Sequence, residues 1–132
     1  MELHLKIVGF IFIAISFLHI GFPTRFKWKE ELQSLSLINK QLMLIHTFFI
    51  ALAVLLIGIL CLIATHDLVN TTLGKQICFG LFIFWIIRLF FQLFVYSTKL
   101  WKGKLFETVM HGVFSIIWTY ASTLFLWICT SN

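Results

Sequence analysis

The placement of charged residues along the chain is the feature that most restricts its fold. Three long stretches contain no Asp, Glu, Lys or Arg, and a fourth is interrupted only by Arg88. An α-helix needs about 20 mostly apolar residues to cross a bilayer, and each stretch is that long or nearly so. The sequence therefore predicts four membrane-spanning helices, at about residues 3–22, 41–65, 76–98 and 108–130.

The composition agrees with this interpretation and excludes the water-soluble classes. Of 132 residues, 61% are hydrophobic and 11% are charged, whereas soluble domains contain roughly 45–50% apolar and about 25% charged residues. The 3 cysteines have no Cys-x-x-Cys spacing, which argues against a disulfide scaffold. We therefore expect an all-α, polytopic integral membrane protein, a four-transmembrane-helix bundle formed by a single domain over residues 1–132.

Lysine and arginine are distributed unequally between the two sides of the predicted bundle. One side has only Lys6 and Lys75. The other side, formed by the loops after spans 1 and 3, has seven basic residues: Arg25, Lys27, Lys29, Lys40, Lys99, Lys102 and Lys104. Cytoplasmic loops are enriched in Lys and Arg. We therefore expect multi-pass insertion in the cell (inner) membrane, with both termini and a short turn at residues 66–74 outside the cytoplasm. The net charge of +5 is then a signal of orientation, and no nucleic-acid partner is expected.

The loop between the first two spans has a helical hydrophobic pattern of its own. Trp28, Leu32, Leu35 and Ile38 recur at intervals of three or four residues, and charged residues lie mostly between them. This pattern is typical of an amphipathic helix in the membrane interface. We expect a cytoplasmic interfacial helix at about residues 24–39. Small residues four apart are scarce in the spans, so glycine-driven helix dimerisation is not expected.

Polar residues within the predicted spans converge at one depth. Because neighbouring spans run in opposite directions, the end of spans 1 and 3 and the start of spans 2 and 4 all lie on the cytoplasmic side. Helical spacing puts the polar and aromatic residues of each span on one face. The sequence thus predicts a polar, partly aromatic cavity that binds a ligand. Its predicted ligand-binding residues are Arg88, Gln92, Trp85, Tyr96, His46, His111, Ser115 and Trp118.

Arg88 lies about midway along the third predicted span, where a charged side chain costs roughly 2.5–3.5 kcal/mol even on translocon-insertion scales. Arginine keeps its proton in proteins, and all 5 acidic residues lie outside the predicted spans, with only Glu107 bordering the cavity side. Arg88 therefore either joins a structural hydrogen-bond network with Gln92, Tyr96 and the hydroxyls of span 4, or receives a carboxylate or phosphate from a ligand or a partner subunit.

Three classes of function remain open. The first is binding of an amphiphilic anion such as a lipid, an isoprenoid phosphate, a quinone-like or a fatty acyl molecule, with Arg88 at its head and aromatic side chains around its tail. The alternative is a haem- or metal-binding protein that uses His19, His46 and His111, although the chain has no His-x-x-x-His pair. The third is a structural subunit whose partner supplies an acidic group to Arg88.

The sequence contains no recognisable catalytic motif. It has no P-loop, no Gly-x-Gly-x-x-Gly and no pair of carboxylates at the spacing of two-carboxylate catalysis, so we expect a binding protein rather than an enzyme and assign no catalytic residue. The sequence identifies no cofactor beyond the haem or metal ion of the alternative. Its expected partners are the lipid bilayer and either a lipid-like ligand or a membrane partner subunit.

Overall fold

The chain is helical wherever the structure describes a regular element. The structure is a computed structural model in which residues 1–25, 30, 33–95 and 105–131 are described. The α-helices of these residues are α1 (Glu2–Arg25), α2 (Leu37–Ile63), α3 (Thr65–Asn70), α4 (Thr72–Phe90) and α5 (Leu105–Thr130). A π-helical turn, Phe91–Val95, continues α4 and is called the π turn below. The predicted all-α class is confirmed for the described residues.

Four of these helices are long and apolar enough to cross a membrane. The qualifying segments are Glu2–His19, Leu37–Ile63, Thr72–Phe94 and Thr108–Thr130. Each overlaps one of the four predicted spans. The number and order of long apolar helices are therefore confirmed.

Two of the long helices begin upstream of the predicted spans because hydroxyl side chains cap them. Ser36 accepts a hydrogen bond from the Asn39 backbone N–H at 3.4 Å and precedes α2. Thr71 accepts one from the Gly74 N–H at 2.9 Å and precedes α4. Such caps pair N–H groups that the start of a helix leaves without a partner. The helices α2 and α4 therefore begin about one helical turn before residues 41 and 76, where the predicted spans start.

The predicted turn at residues 66–74 contains the helix α3 and the start of α4. Gly74 permits their close approach, since a Cβ atom at this position would meet the Cα of Leu68 at 2.5 Å. One turn further along α4, the Sγ of Cys78 lies 3.9 Å from the Leu68 carbonyl. Two small residues therefore allow α3 to pack directly on α4.

The interfacial helix expected at residues 24–39 is not confirmed. Its first residues belong to α1, which ends at Arg25, and its last belong to α2, which begins at Leu37. Between them, residues 33–35 form a turn and a bend, and Ser36 is extended with φ −61° and ψ 158°. Residues 26–29 and 31–32, which include Trp28 and Leu32, lie outside the described residues.

The contacts divide the chain into two compact units, which are described separately. The first unit is Leu3–Thr65, with α1 and α2; the second is Met1–Glu2 with His66–Asn132, which contains α3, α4 and α5. In the first unit the two helices touch at a pair of glycines. A Cβ atom at Gly9 would meet the Gly58 carbonyl at 2.9 Å, and one at Gly58 would meet the Gly9 carbonyl at 2.8 Å. The missing side chains of the two glycines therefore let the backbones of α1 and α2 come into close contact.

In the second unit, α4 and α5 pack side by side in antiparallel order. Trp85 faces Trp118, and Gln92 faces His111. Each pair is seven residues from the other along both helices, which is the heptad spacing of helices that cross at a small angle. Buried residues continue the same series at Cys78 on α4 and Phe125 on α5.

One end of the second unit brings the chain termini and α3 together. The Nδ1 of His66 lies 3.2 Å from Oε1 of Glu2. Lys75 Nζ donates to the Ser131 carbonyl at 2.7 Å, and Ser131 Oγ lies 3.6 Å from the Met1 sulfur. Both termini thus meet at the end that contains α3, as an even number of spans predicts. The outward orientation of this end stays a prediction.

Candidate functional site

Arg88, Gln92 and His111 form a continuous hydrogen-bonded series in the second unit, called the polar chain below. Arg88 is half-buried in the last turn of α4, and its Nη1 donates to Gln92 Oε1 at 3.4 Å. Gln92 lies in the π turn with 6% of its surface exposed, and its Nε2 lies 2.9 Å from Nδ1 of His111 on α5. π turns in α-helices are frequent at functional sites. The polar chain joins the two helices at this turn.

Aromatic rings pack beside the polar chain and form a stack. Trp85 and Trp118 have ring centroids 4.6 Å apart and planes 13° from parallel, and Phe114 stacks on Trp118 at 5.8 Å and 18°. The Cζ of Arg88 lies 5.6 Å from the centroid of the Trp118 ring, within the distance of about 6 Å at which a cation is attracted to the face of an aromatic ring. The guanidinium is therefore held between the Trp118 ring and the amide oxygen of Gln92.

Two buried polar atoms of α5 have no hydrogen-bond partner among the described residues. They are Nε1 of Trp118 and Oγ of Ser122. These two residues are only 4% and 2% exposed. Nearby hydroxyls on α5 behave differently, since Ser115 donates to the His111 carbonyl at 2.7 Å and Thr119 to the Ser115 carbonyl at 2.8 Å. Buried polar atoms in proteins are nearly always paired. An acceptor such as a water oxygen would satisfy the Trp118 N–H.

A cavity of about 360 Å³ lies along α5 and is called the groove. It is lined by Ser115, Ile116, Thr119 and Tyr120. The groove is open to the outside of the protein, as the 71% exposure of its lining residue Ile116 indicates. It starts one helical turn after His111, to whose carbonyl Ser115 is bonded. The groove and the polar chain therefore adjoin along α5.

The structure brings together six of the eight residues predicted to bind a ligand, and their binding role stays a prediction. Five of them lie in the polar chain and the stack, and Ser115 joins the groove to His111. His46 belongs instead to the first unit, where its Nδ1 lies 3.0 Å from the Leu42 carbonyl one turn earlier on the same helix. Tyr96 lies outside the described residues.

The histidines proposed as metal or haem ligands do not form a cluster in the described residues. No group of three or more His, Cys, Asp or Glu side chains among them is arranged to hold a metal ion. His19, like His46, has its Nδ1 close to a backbone carbonyl of its own helix, that of Ile15 at 2.9 Å. In His111 the same atom faces Gln92. The metal and haem alternative therefore gains no support from these contacts.

Sequence reasoning missed two parts of this site. Phe114 is absent from the predicted set although it stacks on Trp118, and the signal was available because the two are one helical turn apart. The groove residues Ile116, Thr119 and Tyr120 were also missed. Spacing along one helix does not distinguish residues that line a groove from residues that contact lipid.

The chain was compared with protein-family models, with curated proteins and with solved structures, and none of them matches it. Its function is therefore argued from the polar chain, the stack and the groove.

Proposed function

We propose that this protein is a four-span integral membrane protein that binds a single-chain anionic amphiphile. Arg88 holds the carboxylate or phosphate head, and the groove on α5 holds the alkyl tail. The protein lies in the cell (inner) membrane with both termini outside, so that Arg88 and the bound head group are in the cytoplasmic half of the bilayer. No catalytic step is included in the proposal.

Insertion in a membrane is supported by the outer surface of the long helices. Large apolar side chains are exposed on each of them, for example Phe10 at 65%, Phe48 at 61%, Phe94 at 72% and Ile116 at 71%. Soluble monomers rarely expose continuous apolar surface on this scale. A hydrocarbon environment removes the cost of that exposure, since no water then contacts these side chains.

The position of Arg88 is the observation that carries the ligand proposal. Its guanidinium is permanently charged and lies in a stretch, residues 76–98, that contains no other Asp, Glu, Lys or Arg, and there Trp118 contacts it and Gln92 accepts one of its hydrogen bonds. Both of these contacts are with neutral groups. Arginine binds carboxylates and phosphates through paired N–H groups. The charge of Arg88 therefore complements an oxyanion.

The groove supports a ligand with one alkyl chain. Binding sites for small molecules have volumes of about 300–1,000 Å³, and the groove of about 360 Å³ is at the small end of that range. Its lining includes the exposed apolar side of Ile116. This size fits a single chain better than the two chains of a phospholipid, and the outward opening gives a chain access from the lipid.

The proposal is tested with a brominated fatty acid, because bromine quenches nearby tryptophan fluorescence. Trp28, Trp101 and Trp127 are first replaced by Phe, so that only Trp85 and Trp118 of the 5 tryptophans report. The protein in a neutral detergent is titrated with dibromostearic acid and, separately, with its methyl ester. We expect saturable quenching by the acid and only weak, unsaturable quenching by the uncharged ester.

Arg88→Met provides the decisive variant. A hydrogen bond to a charged group contributes about 1.5–3 kcal/mol, so the affinity for the acid should fall roughly tenfold to a hundredfold. Arg88→Lys keeps the charge and should lose less. Lys75→Met, which removes a positive charge elsewhere on α4, is the matched control and should bind as the parent does.

Equal quenching by acid and ester, or undiminished binding in a folded Arg88→Met protein, would refute the anion site. If the parent binds no acid and instead co-purifies with a second polypeptide that Arg88→Met releases, the partner-subunit interpretation replaces the ligand one. Circular dichroism of each variant establishes that it is folded.

A further inference from the structure

A single ring nitrogen of His66 lies within hydrogen-bond distance of two groups of opposite kind. Its Nδ1 is 3.2 Å from Oε1 of Glu2 at the start of α1, and 3.1 Å from Nδ2 of Asn70 one turn further along α3. A ring nitrogen either carries a hydrogen and donates or presents a lone pair and accepts. The Nδ1 atom therefore satisfies one of these two groups at a time.

The orientation of the Asn70 amide is fixed by the backbone. Its Nδ2 donates to the His66 carbonyl at 2.9 Å, and a carbonyl oxygen can only accept. The group of Asn70 that faces Nδ1 is therefore the NH₂, a donor, whereas the ionised carboxylate of Glu2 is an acceptor. Asn70 matches an Nδ1 without a hydrogen, and Glu2 matches an Nδ1 with one.

The protonation state of His66 thus selects its partner. The neutral ring in its Nε2–H form accepts from Asn70 and leaves Glu2, whose side chain is 46% exposed, to water. The protonated ring has a hydrogen on both nitrogens and donates to Glu2 in a charge-assisted bond. Histidine side chains ordinarily change charge between about pH 5 and 8. We infer that Glu2, His66 and Asn70 form a pH-sensitive clasp, which joins the start of α1 to α3 in acid and releases it as His66 loses its proton.

The two sides of the clasp differ in how they are held. Leu68 of α3 is 2% exposed, and α3 packs on α4 at Gly74. Glu2 lies in the first turn of α1, and the ends of helices fray. The change of partner therefore acts on the first turn of α1, while α3 provides the fixed side. The clasp shares no residue with the proposed ligand site and does not depend on the proposed function.

Other titratable groups lie on the elements around the clasp. Among the described residues, the carboxylate within ion-pair distance of His66 is that of Glu2. Lys75 Nζ donates to the Ser131 carbonyl at 2.7 Å. The remaining ionisable groups near this end are the Met1 amino group, His4 and Lys6 on α1, Asp67 on α3, Cys78 on α4 and Cys129 on α5. Since His4 and the amino group also titrate near this pH range, variants must separate them from His66.

The first measurement is nitrogen-15 NMR of the histidine rings in the ligand-free protein, with His66 assigned from the signal that His66→Gln removes. At about pH 8, where an ordinary histidine is neutral, we expect the Nε2–H form to predominate. Asn70→Ala removes the donor that faces Nδ1 and should increase the Nδ1–H share of the neutral ring. A mainly Nδ1–H ring in the parent, or an unchanged share in folded Asn70→Ala, would overturn the inference.

The second measurement follows the start of α1 with a spin label on Leu3→Cys, a position that is 69% exposed. Cys129 is first replaced by Ser, while Cys61 and Cys78, both 0% exposed, are retained. Between about pH 8 and about pH 5, the ratio of immobile to mobile label should rise roughly 1.5-fold to 5-fold, the range expected of an exposed ion pair. Glu2→Gln and His66→Gln should each abolish this rise.

Two matched variants serve as controls for the label. Glu30→Gln removes a carboxylate from another part of the chain, and His4→Gln removes a histidine close to Glu2. Both should keep the rise in immobile label. A rise that survives in Glu2→Gln or His66→Gln, or one that is lost in His4→Gln, would refute the clasp.

Discussion

At the scale of single residues, the second unit contains buried polar groups of two kinds, with and without hydrogen-bond partners among the described residues. Gln92 is almost fully buried and both ends of its amide are used. Ser122 is equally buried, yet its hydroxyl has no partner among the described residues. A buried hydrogen bond contributes about 0.5–1.5 kcal/mol, whereas a buried polar group left without a partner costs about 1–3 kcal/mol. Substitutions at the two sites should therefore change stability in opposite directions.

Ser122→Ala should leave stability unchanged or raise it by up to about 1 kcal/mol, since it removes a buried hydroxyl that gains nothing in the fold. Gln92→Leu should lower stability by about 1–3 kcal/mol, because it withdraws the acceptor of Arg88 and the donor of His111. The measurement is the midpoint of thermal unfolding in detergent, with unfolding monitored by circular dichroism. A Ser122→Ala protein that is clearly less stable than the parent would show that the hydroxyl has a partner, such as an ordered water.

At the scale of helices, the close contacts depend on residues that lack a side chain. Gly9 and Gly58 let α1 and α2 touch, and Gly74 lets α3 lie on α4. At other glycines of the long helices, such as Gly21 and Gly80, a Cβ atom would have no neighbour within 4 Å. Alanine favours an α-helix over glycine by about 1 kcal/mol, so the two classes should respond differently to the same substitution.

Gly9→Ala should destabilise the protein by about 1–3 kcal/mol, the usual cost of overpacking, because the atom it meets at 2.9 Å is a backbone carbonyl that cannot rotate away. Gly21→Ala on the same helix should be neutral or stabilising by up to about 1 kcal/mol. The comparison uses the same thermal unfolding measurement. Equal effects of the two variants would show that α1 and α2 do not cross at Gly9.

The sequence was sufficient for the four apolar helices, because long charge-free stretches are a direct signature of them. It did not locate the helix starts, because the caps Ser36 and Thr71 lie upstream of the lysines that bounded the stretches. The Gly9 contact was missed since the two glycines lie on different helices, and spacing within one helix cannot reveal such a pair. Helical depth did predict that Gln92 and His111 lie near each other, but their contact at 2.9 Å required coordinates.

At the scale of the whole molecule, the unequal distribution of lysine and arginine predicts the orientation in the membrane. The end of the second unit that holds α3 and both termini contains few of them, while the loops at 25–40 and 99–104 contain most. Basic loops remain in the cytoplasm during insertion. We therefore expect α3 to face outward.

This orientation is tested with single cysteines in a background that lacks Cys61, Cys78 and Cys129. Asp67→Cys on α3 should react with a membrane-impermeant maleimide added to intact cells. Lys102→Cys in the opposite loop should react only after the cells are permeabilised. Labelling of Lys102→Cys from outside, with Asp67→Cys protected, would mean that the topology is inverted.

The contacts of Arg88 also imply an order of events during synthesis. Trp118 and His111, which complete the stack and the polar chain, belong to α5 and leave the ribosome after α4. In the proposed membrane topology, α4 until then presents to the translocon a charge that costs roughly 2.5–3.5 kcal/mol at mid-membrane. The most favourable route is for α4 to stay beside the translocon until α5 follows, so that the two helices enter the lipid together as a hairpin.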